Sequence, residues 1–155
     1  MINPHGSAEL NPLFVDDSDQ RTALQQEAEG LPSLLVSSAT AANAVMLGAG
    51  YFNPLTGYMN LADSLSVAAT LHTVDGLFWP VPIVNLIDDA TVIEGAKRIA
   101  LRDPNVEGNP VLAVQTVAAV EQVSTEQINT MAEQIFGTLD EKHPGVAAFT
   151  SQGRQ

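Results

Sequence analysis

The sequence predicts an α+β fold, in which a small, mostly antiparallel sheet or barrel is flanked by separate helices. Residues 96–103 alternate between two sets of side chains with the two-residue period of a strand. By contrast, Ser124 and Gln127 form a capping-box pair before residues 125–136, whose apolar side chains recur at helical spacing. Because 155 residues is the length of an ordinary domain, we expect residues 1–155 to form a single domain.

The first third of the chain is expected to contain two helices separated by a short strand. Residues 19–29 are rich in helix formers, Ser18 is the expected N-cap and Gly30 marks the end. The sequence SLLVS, residues 33–37, favours a strand. The small residues that follow predict a second, short helix that ends at Gly48.

The middle of the chain predicts a third helix followed by an edge strand. Asn60 is the expected N-cap of a helix over 61–72, with Asp63 at the third helical position in a capping-box-like arrangement. Residues 78–87 carry two prolines at alternate positions, which favour extended backbone and remove donors from a strand ladder. We therefore expect this segment to be an edge strand or the entrance to one.

The last part of the chain predicts a β-hairpin, a helix and a departing tail. The strand at 96–103 is followed by the turn PNVEGN, 104–109, and by the apolar stretch 111–123, which forms one long bent strand or two returning ones. Gly137 is the expected end of the next helix. The turn-rich residues 138–155 are expected to leave the domain rather than complete its core.

Composition excludes several classes of function. Eighteen acidic residues face six basic ones, and the formal net charge of -12 would repel free nucleic acid. With no cysteine, the chain has neither disulfides nor thiolate metal ligands. The start, MINPHGSAEL, does not resemble a signal peptide, and no apolar run has the length of a membrane span. These features predict a cytoplasmic protein that binds neither nucleic acid nor membrane.

Residue types suited to catalysis or metal binding are present but scattered. His5, His72 and His143 are far apart, so no metal site is expected; His72 is interpreted as a partner for a helix C-terminus and His143 as a turn residue. The acid pairs at 16–17 and 88–89 could serve as acid and base or bind a cation, but they fit solvated turns better. No catalytic, substrate-binding or metal-binding residue is therefore assigned.

Basic residues are scarce, and three of them lie within six positions. Arg98 and Arg102 share one face of the predicted strand. Two interpretations follow: the arginines neutralise nearby acids, or they form a docking face for another domain. The six basic residues are Arg21, Lys97, Arg98, Arg102, Lys142 and Arg154.

Four sequence blocks together resemble the N-terminal part of ATP sulfurylase, the sulfate adenylyltransferase family. They are GAGYFNPLTGYMN (48–60), DGLFWPVPIV (75–84), KRIALRDPNVEGNP (97–110) and FGTLDEKHPGVAAF (136–149). The resemblance spans the chain and is strongest to the branch found in microbes that oxidise sulfur or reduce sulfate for energy. It implies a PUA-like domain with a small β-barrel or mixed sheet.

The resemblance also implies what this chain lacks. The family joins sulfate to the α-phosphate of ATP, with magnesium, and releases pyrophosphate, or runs in reverse. Its Gln-x-Arg-Asn-Pro, His-x-x-His and Gly-Arg-Asp-His motifs belong to a later catalytic domain and do not occur here. The chain is thus expected to support that domain, to be inactive alone and to hold no cofactor itself. PUA-like folds are also linked to RNA binding, which the acidic charge opposes.

The resemblance and the loop at 51–60 together suggest partners and a structural cluster. The full-length family implies a catalytic domain in the same polypeptide and a homo-oligomer, with Arg98 and Arg102 as contacts to that domain. A free-standing binding or regulatory module is the alternative. In the loop, Phe52, Leu55 and Met59 either pack on the core or contact the catalytic domain. The expected cluster comprises Pro54, Gly57, Met59, Trp79 and Pro80.

Overall fold

A computed structural model describes residues 2–153, which contain five α-helices and a three-stranded sheet. The predicted α+β class is confirmed, with a mixed sheet and separate helices. These residues divide into two units: unit 1 comprises residues 2–57 and 91–118, and unit 2 comprises residues 58–90 and 119–153. Each unit has buried apolar residues of its own.

Unit 1 contains the sheet, in the order β1-β2-β3. The strands are β1 (Ser33–Leu35), β2 (Arg98–Arg102) and β3 (Val111–Thr116). β2 and β3 form the predicted antiparallel hairpin, while β1 runs parallel to β2 with Leu34 opposite Leu101. Because one pair is parallel, the sheet is mixed, and the longer of its two pairings is antiparallel.

Two helices of unit 1 lie where the sequence predicts them. Helix α1 spans Ser18–Glu29, but its N-cap is Asp17 rather than Ser18, because the Asp17 carboxylate accepts a 2.8 Å hydrogen bond from the Gln20 amide. Helix α2 spans Ser38–Gly48 and begins at the N-cap Ser37. A 3₁₀ turn covers Thr91–Ile93.

The apolar centre of unit 1 lies around the middle strand. All three central residues of β2 are buried, as is typical of a strand whose two faces are both covered. The buried apolar residues of this unit are Ala28, Leu34, Val36, Ala41, Leu47, Ile93, Ile99, Ala100 and Leu101.

Unit 2 is built mainly from helices α3 (Leu61–Thr70), α4 (Thr125–Phe136) and α5 (Pro144–Thr150). Asn60 caps α3 as predicted, and both hydrogen bonds of the Ser124–Gln127 capping box are present at α4. At Asp63 the capping-box expectation fails, because its carboxylate accepts from the Val74 amide at 2.9 Å instead.

The C-terminal segment completes the core of unit 2, so the prediction of a departing tail is wrong. Phe149 of α5 is buried and its ring lies edge-on to Phe136 of α4, with centroids 6.2 Å apart. The sequence signal was weak because α5 is only seven residues long. The buried cluster is Ala68, Val123, Ile128, Met131, Ala132 and Phe149.

The predicted edge strand at 78–87 is reduced to a single β-bridge. Phe78 pairs with His72 in antiparallel orientation, and no regular strand continues beyond it up to residue 87. Pro80 and Pro82 lack the N–H groups that a longer ladder requires. In the part of the chain that the structure describes, no helix has the length and apolarity to cross a membrane.

Candidate functional site

The two arginines of β2 are both engaged by groups in their own unit. Arg98 forms an ion pair with Glu27 of α1, and both side chains are about two-fifths exposed. The Arg102 guanidinium donates to the Asn109 carbonyl at 3.2 Å and so supports the β2–β3 turn. For Arg98 the neutralising interpretation is therefore the one realised. Contact of either residue with another domain stays a prediction.

The other basic residues do not gather into an anion site within residues 2–153. Arg21 lies 3.5 Å from the Asp16 carbonyl, at the limit of a hydrogen bond, and Lys97 and Lys142 are exposed. Arg154 lies outside the described residues. Two phosphate- or sulfate-like anions cannot be held close together without converging cationic or backbone donors, and no such cluster is formed by the cations described above.

The two acid pairs take different local roles. Asp17 caps α1, while Asp88 and Asp89 are exposed, with Asp88 at a bend. Within residues 2–153 there is no group of three His, Asp or Glu side chains arranged to hold a metal ion. The described donors therefore do not fit the magnesium that the family resemblance implies, and no step through a metal is assigned to this chain.

The histidines contribute to chain geometry. The His143 Nδ1 atom accepts hydrogen bonds from the Gly145 and Val146 amides, at 3.2 and 3.4 Å, and so acts as the N-cap of α5. His72 lies two residues beyond α3, and its Nδ1 atom is 2.8 Å from the Thr70 carbonyl. Since a carbonyl only accepts, Nδ1 carries the proton in this contact. The interaction matches the predicted role at a helix C-terminus.

A buried polar residue that sequence reasoning missed is Asn53 of unit 1. Its Nδ2 atom donates to the His5 carbonyl at 3.2 Å and to the Ser7 hydroxyl at 2.6 Å, while its Oδ1 atom accepts from the Asn11 amide at 3.1 Å. We call this set the Asn53 clasp. An Asn-Pro pair in the sequence signals a turn, but it does not reveal partners more than forty positions away.

The glycines at 48 and 50 allow close packing of the chain around them. A Cβ atom on Gly48 would lie 2.6 Å from the Phe14 ring, and the Leu13 and Phe14 amides both donate to the Gly48 carbonyl. Gly50 has φ +76 and lies against the backbone of Pro12. The absence of side chains at these positions therefore lets residues 12–14 approach the end of α2.

The loop at 51–60 is divided between the units. In unit 1, Phe52 and Leu55 are half-buried, and the peptide bond between Asn53 and Pro54 is cis. In unit 2, the Met59 amide donates to the Ile83 carbonyl at 2.8 Å. Pro54 and Gly57 thus belong to a different unit from Met59, Trp79 and Pro80, and the proposed cluster of all five stays a prediction.

Tyr58 is a titratable group whose environment differs clearly from water. Burial in unit 2 disfavours its phenolate form and raises the pKa of its hydroxyl group well above the ordinary value. A phenol that stays neutral is a poor base at neutral pH, so the burial indicates a packing role for this side chain.

A shallow pocket of about 130 Å³ lies beside α4 and α5. It is lined by Asn129, Leu139, Glu141, Val146 and Thr150. With an acid and no Lys or Arg in its wall, the pocket does not suit sulfate or a nucleotide phosphate.

Taken together, these contacts define a class of protein: an α+β module whose described polar groups cap helices and tie segments together. Its sequence from residue 2 to 155 matches the family model described as a PUA-like domain. The chain belongs to this family, and the fold expected from the resemblance is confirmed.

Relatives with curated names extend the comparison. The chain is 61% identical over 153 residues to sulfate adenylyltransferase of Alcanivorax borkumensis, covering 99% of this chain and 38% of the relative. It is 62% identical over 154 residues to the same-named protein of Allochromatium vinosum, covering 99% and 39%. For the Riftia pachyptila sulfur-oxidizing endosymbiont, the identity is 48% over 154 residues, covering 99% and 35%.

The resemblance to sulfate adenylyltransferase is thereby confirmed. The chain spans little more than a third of the length of these curated relatives. Among solved structures, it is similar to a protein described as hexameric APS kinase from Thiobacillus denitrificans, with a TM-score of 0.62 and 34% identity. That match covers 79% of this chain and 24% of the other.

Proposed function

We propose that this chain is the N-terminal domain of a sulfate adenylyltransferase and that it supports a catalytic domain without taking part in the chemistry. The observation that carries the proposal is the combination of almost complete coverage of this chain with coverage of little more than a third of relatives bearing that name. A cytoplasmic location and assembly into a homo-oligomer are part of the proposal; the neighbour described as hexameric supports the latter.

The chemistry proposed for the whole enzyme explains why this domain would be inactive alone. A sulfate oxygen attacks the α-phosphorus of ATP, a P–O–S linkage forms, and the bond to the β-phosphate breaks to release pyrophosphate. Both reactants are anions, so the transition state needs positive charge or aligned N–H donors. In unit 1, Arg98 and Arg102 are occupied by Glu27 and the Asn109 carbonyl, which leaves neither aimed at an open site.

A chimera tests the proposal without depending on where this chain ends. The chain replaces the matching region of the Alcanivorax borkumensis relative, with which it shares 61% identity. Pyrophosphate release is then measured with ATP, sulfate and magnesium for this chain alone, the chimera, the intact relative and the relative without the region. The chimera is the Alcanivorax borkumensis relative that carries this chain in place of its own matching region.

We expect background release from the chain alone and, from the chimera, activity within about tenfold of the intact relative, a loss of no more than about 1.4 kcal/mol in transition-state stabilisation. Turnover by the chain alone at a rate comparable to the relative would contradict a non-catalytic role. A folded chimera without activity would contradict the domain assignment and favour a free-standing module. Circular dichroism and size-exclusion chromatography establish that each protein is folded.

A further inference from the structure

The segment of unit 1 that precedes α1 is fixed by hydrogen bonds although most of it is exposed. The Leu13 and Phe14 amides donate to the Gly48 carbonyl at 2.8 and 3.1 Å. Within the Asn53 clasp, the Asn11 amide donates to the Asn53 Oδ1 atom at 3.1 Å. This stretch is therefore held at the end of α2 by partners that are distant in sequence.

Three apolar residues of the stretch lie across the glycines at the end of α2. An added Cβ atom on Gly50 would lie 3.4 Å from the Leu10 Cδ1 atom and 3.3 Å from the Pro12 backbone. An added Cβ atom on Gly48 would lie 2.6 Å from the Phe14 ring. Leu10, Pro12 and Phe14 thus rest on one short backbone segment, and we call these three residues the arm patch.

Much of the arm patch is open to solvent. Leu10 is 55% exposed and Phe14 is 56% exposed, and Pro12 is exposed as well. The two glycines beneath them present no side chain that could cover them. Contiguous exposed apolar residues mark interaction surfaces, and a backbone that is fixed in advance loses less conformational entropy when a partner binds.

Carboxylates flank the arm patch at both of its ends. Glu9 directly precedes Leu10, and Asp16 follows Phe14 by two residues, which span at most about 7 Å. Neither carboxylate forms an ion pair with Lys or Arg in the part of the chain that the structure describes. Residues 38–57, which include the supporting glycines, carry no charged side chain. The surface therefore combines an uncharged apolar centre with negative charge at its ends.

This charge decides which occupant fits the surface. At the Asp16 end, the Arg21 guanidinium lies 3.5 Å from the backbone carbonyl and does not pair with the carboxylate. A second copy of the chain would bring a further net charge of -12, and nucleic acid or an anionic membrane would also be repelled. Lys or Arg side chains would instead pair with the flanking carboxylates while apolar side chains beside them cover the arm patch.

We propose that Leu10, Pro12 and Phe14 dock a partner polypeptide whose apolar side chains are flanked by Lys or Arg. The apolar contact holds the partner, and the carboxylates of Glu9 and Asp16 select its charge. This proposal goes beyond the proposed function and does not depend on it, because the arm patch is defined by contacts within unit 1.

A nuclear magnetic resonance titration of the isotope-labelled chain tests the docking surface. The probe is a synthetic peptide in which Leu and Phe are flanked on both sides by Lys, which we call the Lys peptide. Two matched peptides carry Glu in place of Lys, or Ser in place of Leu and Phe. We expect the Lys peptide to shift amide signals within residues 10–16 and 48–51, with a dissociation constant below about 1 mM. The matched peptides should each bind at least about tenfold more weakly.

A pair of variants measures the apolar contribution. Leu10→Ala should weaken binding of the Lys peptide at least about fivefold, because it removes a side chain from the arm patch. Val92→Ala is the matched control, since Val92 belongs to the same unit and is 52% exposed. The control should change the dissociation constant less than about twofold.

A second pair of variants measures the charge contribution. Glu9→Gln combined with Asp16→Asn should weaken binding of the Lys peptide at least about threefold at low salt, and this loss should shrink at about 0.5 M salt. Glu94→Gln combined with Glu107→Gln removes the same charge from exposed positions of the same unit. Equal losses for the two combinations would show general attraction to an acidic protein and would overturn the proposal.

Three further results would also overturn the proposal. Equal affinity for the Lys and Glu peptides would remove the charge selection. Absence of binding up to about 1 mM Lys peptide would contradict docking at this surface. Signals of the same amides that shift without peptide, as the concentration of the chain rises, would assign the arm patch to a second copy.

Discussion

The two units of this chain are stabilised in different ways. In unit 2, three helices pack apolar side chains such as Ile128 and Met131 into one cluster. In unit 1, a parallel strand pair and the buried polar Asn53 connect segments that are far apart in sequence. Apolar packing therefore stabilises both units, whereas in unit 1 directional hydrogen bonds also decide which distant segments meet.

The largest effects should come from emptying the centre of each unit. Ile99 in unit 1 and Ile128 in unit 2 are both almost fully buried. We expect Ile99→Ala and Ile128→Ala each to lower the free energy of unfolding by about 2–5 kcal/mol, through lost burial and a cavity. Urea denaturation measures the loss, and hydrogen exchange shows which unit is destabilised.

Val120→Ala, at an exposed position, is the control and should change the free energy of unfolding by less than about 0.5 kcal/mol. Faster hydrogen exchange confined to the substituted unit would support the division into two units. Equal acceleration in both units for either isoleucine variant would break the comparison.

Removing the Asn53 clasp should have the next largest effect. Asn53→Ala leaves the Asn11 amide and the His5 carbonyl without this partner, at a cost of about 1–3 kcal/mol in the free energy of unfolding. Hydrogen exchange of the Asn11 amide should rise at the same time. Thr56→Ala, an exposed change in the same loop, is the control. Unchanged exchange at Asn11 would show that the clasp does not hold residues 5–11.

Because of Tyr58, we expect the stability of unit 2 to fall at alkaline pH. Because burial raises the pKa of its hydroxyl group above the unfolded value, the folded state retains the proton more strongly. The contribution of Tyr58 to the free energy of unfolding is fully present below about pH 10. Above that pH it falls by no more than about 1.4 kcal/mol per pH unit. Thermal melts between neutral and alkaline pH should show a steeper decline for the native chain than for Tyr58→Phe. Parallel declines would contradict the assignment.

Removing the capping box of α4 tests how much this local contact contributes to the stability of unit 2. In the native chain, the Gln127 amide donates to the Ser124 hydroxyl at 3.1 Å and the Ser124 amide donates to the Gln127 side chain at 2.9 Å. Ser124→Ala should lower the free energy of unfolding by about 0.5–2 kcal/mol, while Ser124→Asp retains a capping acceptor and most of the stability. Equal losses for the two variants in urea denaturation would argue against the cap.

The smallest effect is expected from the ion pair of unit 1. Arg98 and Glu27 are both partly exposed, so Glu27→Gln should lower the free energy of unfolding by less than about 1 kcal/mol. This loss should shrink at about 1 M salt, where the Debye length is near 3 Å. A larger loss in the free energy of unfolding that does not shrink with salt would show that the ion pair, as well as the hydrogen bonds, stabilises unit 1. A double-mutant cycle with Arg98→Gln isolates the pair.

Local signals predicted much of the fold and little of its long-range organisation. Asn60, Gly137 and the capping box act within four positions of their partners, and the sequence identified each of them. The Asn53 side chain instead bonds to groups 42 to 48 positions away, a distance over which propensity carries no information. The parallel pairing of β1 with β2 was missed for the same reason.

Errors in the sequence interpretation also have physical causes. At α1 the expected cap was Ser18, but the carboxylate of the preceding Asp17 is the group that accepts from an amide. In residues 138–155, the neighbouring turn residues concealed α5, although Pro144 stands in the first turn of that helix, where proline is favourable. For the candidate site, the sequence left both neutralisation and docking open for the arginines, and only coordinates identified Glu27 as the partner of Arg98.

The packing of Phe14 against Gly48 constrains how the two positions can diverge. Because the ring occupies the space where a Cβ atom would stand, a change of Gly48 alone would displace Phe14. A smaller side chain at position 14 would remove that obstacle. Among related sequences, we therefore expect alanine or larger residues at 48 to accompany loss of the aromatic ring at 14, so that the two positions evolve as a pair.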